Sequence, residues 1–149
     1  ADLWVAVEKA VEKALVSVVN MRRKEGKALA MDISAQLKQM SGKITHIKNR
    51  ASFLLKEKKG KLTPDEFLSF QKGNDINEEI SRLAHHVEEA KKLLKGSEGA
   101  GKKLDFIAQE MQRETNTIGS KVQDKEVSGA VITIKAMVEK IREQANNVE

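Results

Sequence analysis

Residues 101–121 read GKKLDFIAQEMQRETNTIGSK, and this stretch carries two different stripes at helical spacing. The first stripe is mainly apolar and recurs at steps of three and four residues: Leu104, Ile107, Met111, Thr115 and Ile118. The second stripe collects an aromatic ring, a carboxylate, a guanidinium group, a hydroxyl group and an amine: Phe106, Glu110, Arg113, Thr117 and Lys121. One apolar face at this period predicts a helix packed against other helices. The crowded polar stripe indicates a second role.

The same period extends through the rest of the chain. Apolar seams run from Trp4 to Met21, from Leu29 to Leu54, from Ile76 to Leu94 and from Val127 to Val148. No stretch sustains the two-residue alternation that a half-buried strand shows. The sequence therefore predicts an all-α fold, in which long antiparallel helices form a helical bundle without a sheet.

The first two seams are separated by Gly26. A glycine inside a helix costs about 1 kcal/mol relative to alanine, but the helical phase continues across it with only a small slip. We therefore expect one helix from about residue 2 to residue 57, about 80 Å long at 1.5 Å per residue. Its first seam has the spacing of a coiled coil. Because such a rod cannot bury its stripe alone, it requires later helices, other copies of the chain or a further domain.

The polar run KEKKGK at residues 56–61 is the clearest boundary in the sequence. It divides the chain into a long helical, coiled-coil-like segment at 1–58 and a C-terminal helical bundle at 62–149. These two units are the predicted domains.

Three further positions carry the residues that helix starts prefer. Thr63 as N-cap and Pro64 at the first position predict a short second helix. Asn74 or Asp75 is expected to cap the third helix, and Asp124 the last one.

Composition excludes several classes of protein. The chain has 149 residues, of which 33% are charged and 40% apolar, and this balance fits a helix-rich soluble protein. It contains no cysteine, which rules out disulfides, thiolate metal sites and a cysteine nucleophile. No apolar run approaches the roughly 20 residues of a membrane span, and no stretch resembles a signal peptide. We therefore expect a cytoplasmic protein with no membrane partner.

The net charge of +5 is unevenly distributed. Residues 1–60 hold thirteen Lys and Arg against six Asp and Glu, whereas residues 61–122 and 123–149 each have a balance of −1. A basic half beside a neutral half is typical of a protein that binds a polyanion such as RNA. A solvated helix surface with surplus lysine explains the same numbers equally well.

Polar side chains also follow one face of the helix that precedes the opening stretch. They recur at steps of three, four and four residues: Asp75, Glu78, Arg82 and His86. Because the connection between the two helices is short, they should pack antiparallel, so that both polar stripes meet at one edge. This inventory suits phosphodiester cleavage, since carboxylates can hold Mg²⁺ or Mn²⁺, an imidazole or carboxyl group can move a proton, and cations can neutralise the phosphorane.

Spacing alone also allows a purely structural interpretation. Acid–base pairs four residues apart decorate ordinary solvated helices and contribute about 0.2–0.5 kcal/mol each. His85 and His46 are expected on other sides of their helices, as surface or boundary histidines. The sequence lacks HExxH, the Glu-x-x-His pair of di-metal bundles, and glycine-rich phosphate loops. We also predict no surface aromatic residue in a basic patch of the kind that stacks on single-stranded bases.

Longer segments of the chain resemble the C-terminal region of the YicC/YloC family of bacterial proteins. They are NMRRKEGKALAMDI at 20–33, DINEEISRLAHHVEEAKKLL at 75–94, the stretch at 101–121, and IREQANNVE at 141–149. The resemblance covers almost the whole chain and is least distinctive at 41–72. It implies that the chain is the C-terminal half of a longer protein, whose N-terminal domain is absent here and is one of its partners.

The resemblance further implies an RNA-binding, metal-dependent endoribonuclease of a family described as stress-induced, which forms ring-like homo-oligomers that enclose RNA. The divalent cation would be Mg²⁺ or Mn²⁺. The alternative is a non-catalytic helical module for oligomerisation or RNA binding. In either case the isolated half is expected to show weak or no activity.

Polar residues that match the family pattern and either interrupt an apolar seam or line a polar stripe are the site candidates. The catalytic candidates are Glu78, His86, Glu110 and Glu114. The candidates for binding RNA phosphates are Arg22, Arg82, Arg113 and Lys121. The expected metal ligands are Asp75, Glu78 and Glu110.

Overall fold

The computed structural model describes residues 2–96 and 99–147, and all regular structure in this part of the chain is α-helical. Five helices follow one another: α1 Asp2–Lys59, α2 Pro64–Gly73, α3 Asn77–Lys95, α4 Ala100–Lys121 and α5 Lys125–Ala145. The prediction of an all-α fold is confirmed. Val148, the last residue of the predicted final seam, lies outside the described residues.

Helix α1 is one uninterrupted helix of 58 residues that passes through Gly26, as predicted. At 1.5 Å per residue it is about 87 Å long. It extends slightly further than expected and ends at Lys59, inside the basic run. Lysines in the last turn place positive charge beside the carbonyl end of the helix, where the helix dipole favours it.

One core is shared by four helices, because α1 contacts α3 and α5, and α4 contacts the same two helices from the other side. Every one of these helices supplies fully buried large side chains: Ile33, Leu37, Met40, Ile47, Leu83, Leu104, Met111, Ile118, Ile134 and Ile141. Burial of each such side chain is worth about 1.5–3 kcal/mol. Helix α2 contacts α1. The fold is a four-helix bundle with one very long member.

Neighbouring helices in the bundle run antiparallel, as the positions of their ion pairs indicate. Glu79 near the start of α3 pairs with Lys121 at the end of α4. Asp105 near the start of α4 pairs with Arg142 near the end of α5. The predicted meeting of the α3 and α4 polar stripes along one edge follows from this register.

Two predicted helix caps are confirmed. The Thr63 hydroxyl accepts a hydrogen bond from the Glu66 backbone N–H at 3.3 Å, and the Glu66 carboxylate accepts one from the Thr63 N–H at 3.0 Å. This reciprocal pair is a capping box. At the start of α5 the Asp124 carboxylate accepts a hydrogen bond from the Val127 N–H at 3.2 Å.

The predicted cap of α3 is wrong. Ile76 occupies the N-cap position and makes no side-chain cap hydrogen bond. Asp75 lies one residue earlier, and its Oδ1 accepts a hydrogen bond from the Asn77 N–H at 3.1 Å. Aspartate readily bonds the backbone two residues ahead in such a turn, and this geometry displaces it from the cap position.

The first half of α1 stands apart from the packed core. Every residue from 2 to 25 is exposed, although the apolar seam runs through them. The packed part begins near Ile33 and crosses the predicted boundary at residues 58–62. Whether the two predicted segments fold as separate units stays a prediction. Among the described residues, no helix combines the length and the apolar composition that crossing a bilayer requires.

Candidate functional site

The two polar stripes enclose a surface cavity of about 430 Å³ between α3 and α4, which we call the α3–α4 cavity. Its walls are formed by seven residues: Ser81, Arg82, His85, His86, Glu110, Arg113 and Glu114. Five of them were predicted as site residues from the sequence. The antiparallel register brings them together because α3 runs towards residue 95 while α4 starts from residue 100.

Arg82 connects the two walls of the cavity. Its guanidinium group donates a hydrogen bond to Glu78 on the same helix, and its Nη1 lies 3.7 Å from Oε1 of Glu114 on α4. The Glu114 side chain is only 7% exposed. A buried carboxylate is costly unless a cation compensates it, so Glu114 and Arg82 hold each other in place across the helix pair.

The two histidines converge on one carboxylate. His86 Nδ1 lies 3.2 Å from Glu89 Oε1, and His85 Nε2 lies 3.0 Å from the same oxygen. An ionised carboxylate only accepts hydrogen bonds, so His86 Nδ1 carries the proton when it donates to Glu89. For His86 this tautomer leaves Nε2 as a proton acceptor, the arrangement a general base requires.

His85 is a surface histidine, as expected, with its side chain 72% exposed, but the expectation that it lies on another side of its helix from the site is wrong. Its ring centroid is 6.0 Å from that of His86, and both rings line the cavity. Glu89 follows His85 by four residues and His86 by three, so it is within reach of both along the helix. That acid, together with Ser81, was missed by the sequence analysis, although the His-His-x-x-Glu spacing was visible.

Glu110 and Arg113 complete the α4 wall. Arg113 Nη2 lies 3.7 Å from Glu110 Oε1, which is a loose ion pair rather than a close hydrogen bond. The Arg113 side chain is 74% exposed and that of Glu110 is 23% exposed. Arg113 is therefore accessible to an incoming anion.

Lys121 lies at the other end of the helix pair and is already engaged. Its Nζ is 2.6 Å from Glu79 Oε1 and 3.2 Å from the Asp75 backbone carbonyl oxygen. The hydrogen bond to Glu79 raises the pKa of the Lys121 ammonium group above its usual value. Glu79 is buried and was not among the predicted site residues. A phosphate-binding role for Lys121 stays a prediction, but its ammonium group already neutralises Glu79.

Arg22 belongs to a different part of the surface. It lines a cavity of about 640 Å³ between α1 and the end of α5, together with Glu25, Asp32 and Asn146. This cavity shares no lining residue with the α3–α4 cavity. The structure therefore does not bring Arg22 to the other predicted phosphate-binding residues.

The three expected metal ligands do not converge. The Asp75 backbone meets Lys121, which follows Glu110 by eleven residues, or about 16 Å along α4. Glu78 is paired with Arg82. Within residues 2–96 and 99–147, no group of three or more His, Asp and Glu side chains is arranged to hold a metal ion. These residues do not form a ready-made site, and metal dependence stays a prediction.

Comparisons with known proteins agree with the family resemblance. A family model described as "Endoribonuclease YicC-like, C-terminal" matches residues 31–149. A protein of Clostridioides difficile strain 630 named "Probable endoribonuclease YicC" is 34% identical over 165 residues, covering 99% of this chain and 56% of the relative. A protein of the same name from Haemophilus influenzae is 27% identical over 155 residues, covering 94% and 54%. The chain thus spans just over half the length of these curated relatives.

Proposed function

The chain belongs to the YicC-like endoribonuclease family, and we propose that it cleaves RNA phosphodiester bonds in the α3–α4 cavity as the C-terminal part of a larger enzyme. One observation carries the proposal. An imidazole oriented by a carboxylate, two guanidinium groups and a partly exposed carboxylate face the same cavity. A cytoplasmic location and assembly with further copies belong to the same proposal.

Proton transfer is assigned to His86. Attack on phosphorus by a 2′-hydroxyl group or by water requires a base, and His86 Nε2 takes that proton while Nδ1 is held by Glu89. The bond between phosphorus and the leaving ribose oxygen then breaks, and that oxygen takes up a proton from the imidazolium or from solvent. The imidazolium that forms is stabilised by the same carboxylate. Glu89 is thus a positioning residue that acts through His86.

Charge stabilisation is assigned to the two arginines. Arg113 is exposed and loosely paired, so its guanidinium group can turn from Glu110 to a phosphate, which it binds in a bidentate manner. Arg82 is held between Glu78 and Glu114 and supplies a fixed positive charge beside the phosphorane. Glu78 and Glu114 act through Arg82 in this assignment.

Dependence on Mg²⁺ or Mn²⁺ is a separate part of the proposal. Such ions are often held by one or two carboxylates together with substrate phosphate oxygens rather than by an all-protein cage. Glu110 is the partly exposed carboxylate of the cavity and is the ligand expected to contribute. The ion would neutralise negative charge on the phosphate.

The basic face of α1 is proposed to gather RNA. Residues 1–60 carry the whole positive excess of the chain, most of it beyond residue 25, and exposed lysines there include Lys27, Lys38, Lys48 and Lys56. Affinity for single-stranded RNA should then fall with salt, with a log–log slope of about −0.7 for each phosphate contacted. Salt-independent binding would contradict this part of the proposal.

The decisive experiment compares this chain and the full-length protein on end-labelled RNA, with Mn²⁺ or with EDTA. Cleavage by the full-length protein should be lost in His86→Gln and Glu110→Gln. His46→Gln is the matched control, because His46 lies 3.9 Å from Glu126 on a different face of the bundle. Full activity in the His86 and Glu110 variants would place the active site elsewhere.

A non-catalytic module is the second candidate, favoured by the unpacked half of α1. Large apolar side chains such as Trp4 and Leu15 are exposed there, as expected for a surface that another copy or domain covers. This candidate predicts RNA binding or self-association without cleavage, in the chain and in the full-length protein alike.

A further inference from the structure

A second cavity of about 360 Å³ lies further along the α3–α4 pair, and we call it the Phe106 groove. It is lined by Glu89, Leu93, Lys102, Lys103, Phe106 and Ile107. Phe106, one of these lining residues, is 64% exposed. The prediction that no aromatic residue lies in a basic surface patch is therefore wrong. Lys102 and Lys103 precede Phe106 by four and three residues, so all three share one face of α4.

The chemistry of this groove is that of a single-strand binding surface. An exposed aromatic face stacks on any nucleobase, and neighbouring ammonium groups neutralise the backbone. Leu93 and Ile107 supply an apolar wall, and the volume lies at the lower end of the range of small-ligand pockets, about 300–1,000 Å³. The groove thus fits one flat ring, such as a nucleobase, with a negatively charged group such as a phosphate next to it.

The groove lies next to the α3–α4 cavity along the same two helices. Glu89 lines the groove, lies 3.2 Å from His86 Nδ1 and lies 3.0 Å from His85 Nε2. Phe106 precedes Glu110 by four residues, which is one helical turn or about 6 Å along α4. With stacked nucleotides about 3.4 Å apart along a strand, this distance corresponds to one or two nucleotides.

We propose that the Phe106 groove holds one unpaired base of the RNA whose phosphate occupies the α3–α4 cavity. Phe106 stacks on the base, and Lys102 and Lys103 contact its backbone phosphates. This subsite, which rests on the proposed function, sets the position of the cut relative to a single-stranded base. A second copy of the chain fits the groove less well, because a stable protein interface engages about 20–30 residues on each side, whereas six form the groove.

The test measures equilibrium binding of single-stranded RNA to the full-length protein. Phe106→Ala should weaken binding roughly 5- to 150-fold, the range for loss of one base–aromatic stack. Phe106→Trp should retain binding. Ile132→Ala removes an equally exposed apolar side chain on α5 and should leave affinity unchanged.

An abasic nucleotide moved stepwise along the RNA identifies the base. At one position it should reproduce the loss seen in Phe106→Ala, and combining the two should cause no further loss, because both remove the same contact. The proposal would be overturned if the losses of binding free energy from Phe106→Ala and from the abasic nucleotide added up at every position of the RNA. Lys102→Gln should instead reduce the salt slope by about 0.7, whereas Phe106→Ala should leave that slope unchanged.

Two further outcomes separate this proposal from the proposed function. RNA binding without cleavage, in which the affinity losses from Phe106→Ala and from one abasic nucleotide do not add, would refute the active-site assignment and support base binding in the Phe106 groove. Cleavage that depends on His86, without such non-additivity, would refute the groove alone. A change in sedimentation of Phe106→Ala would also overturn it, since the groove would then be a contact between copies.

Discussion

The two halves of α1 share one helix and the same apolar period but have opposite surroundings. Leu15 in the first half is 59% exposed, whereas Leu37 in the second half is fully buried. The second half is fastened to α5 by Arg50, whose Nε and Nη2 each donate a hydrogen bond of 3.0 Å to Asp124. A seam therefore specifies a helix and its apolar face, but its burial depends on which elements reach it.

The largest expected effect comes from truncating matched leucines in the two halves. Leu37→Ala should lower the free energy of unfolding by about 2–5 kcal/mol, because it leaves a cavity in the core. Leu15→Ala should change it by less than about 0.5 kcal/mol, as surface substitutions usually do. Urea unfolding followed by circular dichroism measures both. If the effect of Leu15→Ala grows with protein concentration, the first half is packed against another copy.

A smaller decrease in the free energy of unfolding is expected when the Arg50–Asp124 link between α1 and α5 is removed. Asp124→Ala deletes the N-cap of α5 and both hydrogen bonds from Arg50, and should cost about 1–2 kcal/mol. Asp124→Asn keeps a capping side chain but removes the charge, and should cost less. Equal losses in the two variants would show that the cap contributes nothing beyond the ion pair.

Acid should weaken the same link. The hydrogen bond from Arg50 holds the pKa of Asp124 below its usual value, so the unfolded chain binds a proton more readily than the folded one. The stabilisation is present above the unfolded pKa of about 3.9 and is lost as the pH falls through the lower folded value. Thermal unfolding of the wild type should show a steeper loss below pH 4 than that of Asp124→Asn.

The smallest effect concerns the two glycines of α1. A methyl group at Gly42 would meet no atom within 4 Å beyond the adjacent backbone of its own helix, so Gly42→Ala should stabilise the bundle by about 0.5–1 kcal/mol through helix propensity. Gly26→Ala should raise helicity while leaving the midpoint of the cooperative transition unchanged, because residues 2–25 are outside the core. A shift of that midpoint in Gly26→Ala would contradict the conclusion that the first half of α1 lies outside the cooperative core.

Local patterns were sufficient to predict the helices. Thr63 and Asp124 were recognised as caps because capping depends on backbone groups three residues away. The continuity of α1 through Gly26 followed from a helical phase that slips only slightly there. The α3 cap was missed because Asp75 can bond the backbone in more than one way, and only tertiary packing selects among them.

The sequence predicted the part of the candidate site that results from the antiparallel packing of α3 and α4. That register brought His86 and Glu110 to one cavity, as expected. Pairs distant in sequence were missed, since nothing local links Glu79 to Lys121 or Arg50 to Asp124. Phe106 was assigned to a polar stripe, but its exposure depends on how far the neighbouring helix covers it.

The Glu79–Lys121 pair closes the open end of the α3–α4 hairpin, at the opposite end from the connection. Together with Arg82 and Glu114, it fixes how the two helices are aligned without help from the connecting segment. The two helices are thus held together at both ends, by the connecting segment at one end and by this ion pair at the other. Changes in the length of the connection would leave the facing residues of the cavity in register, so that segment is free to evolve separately from the chemistry.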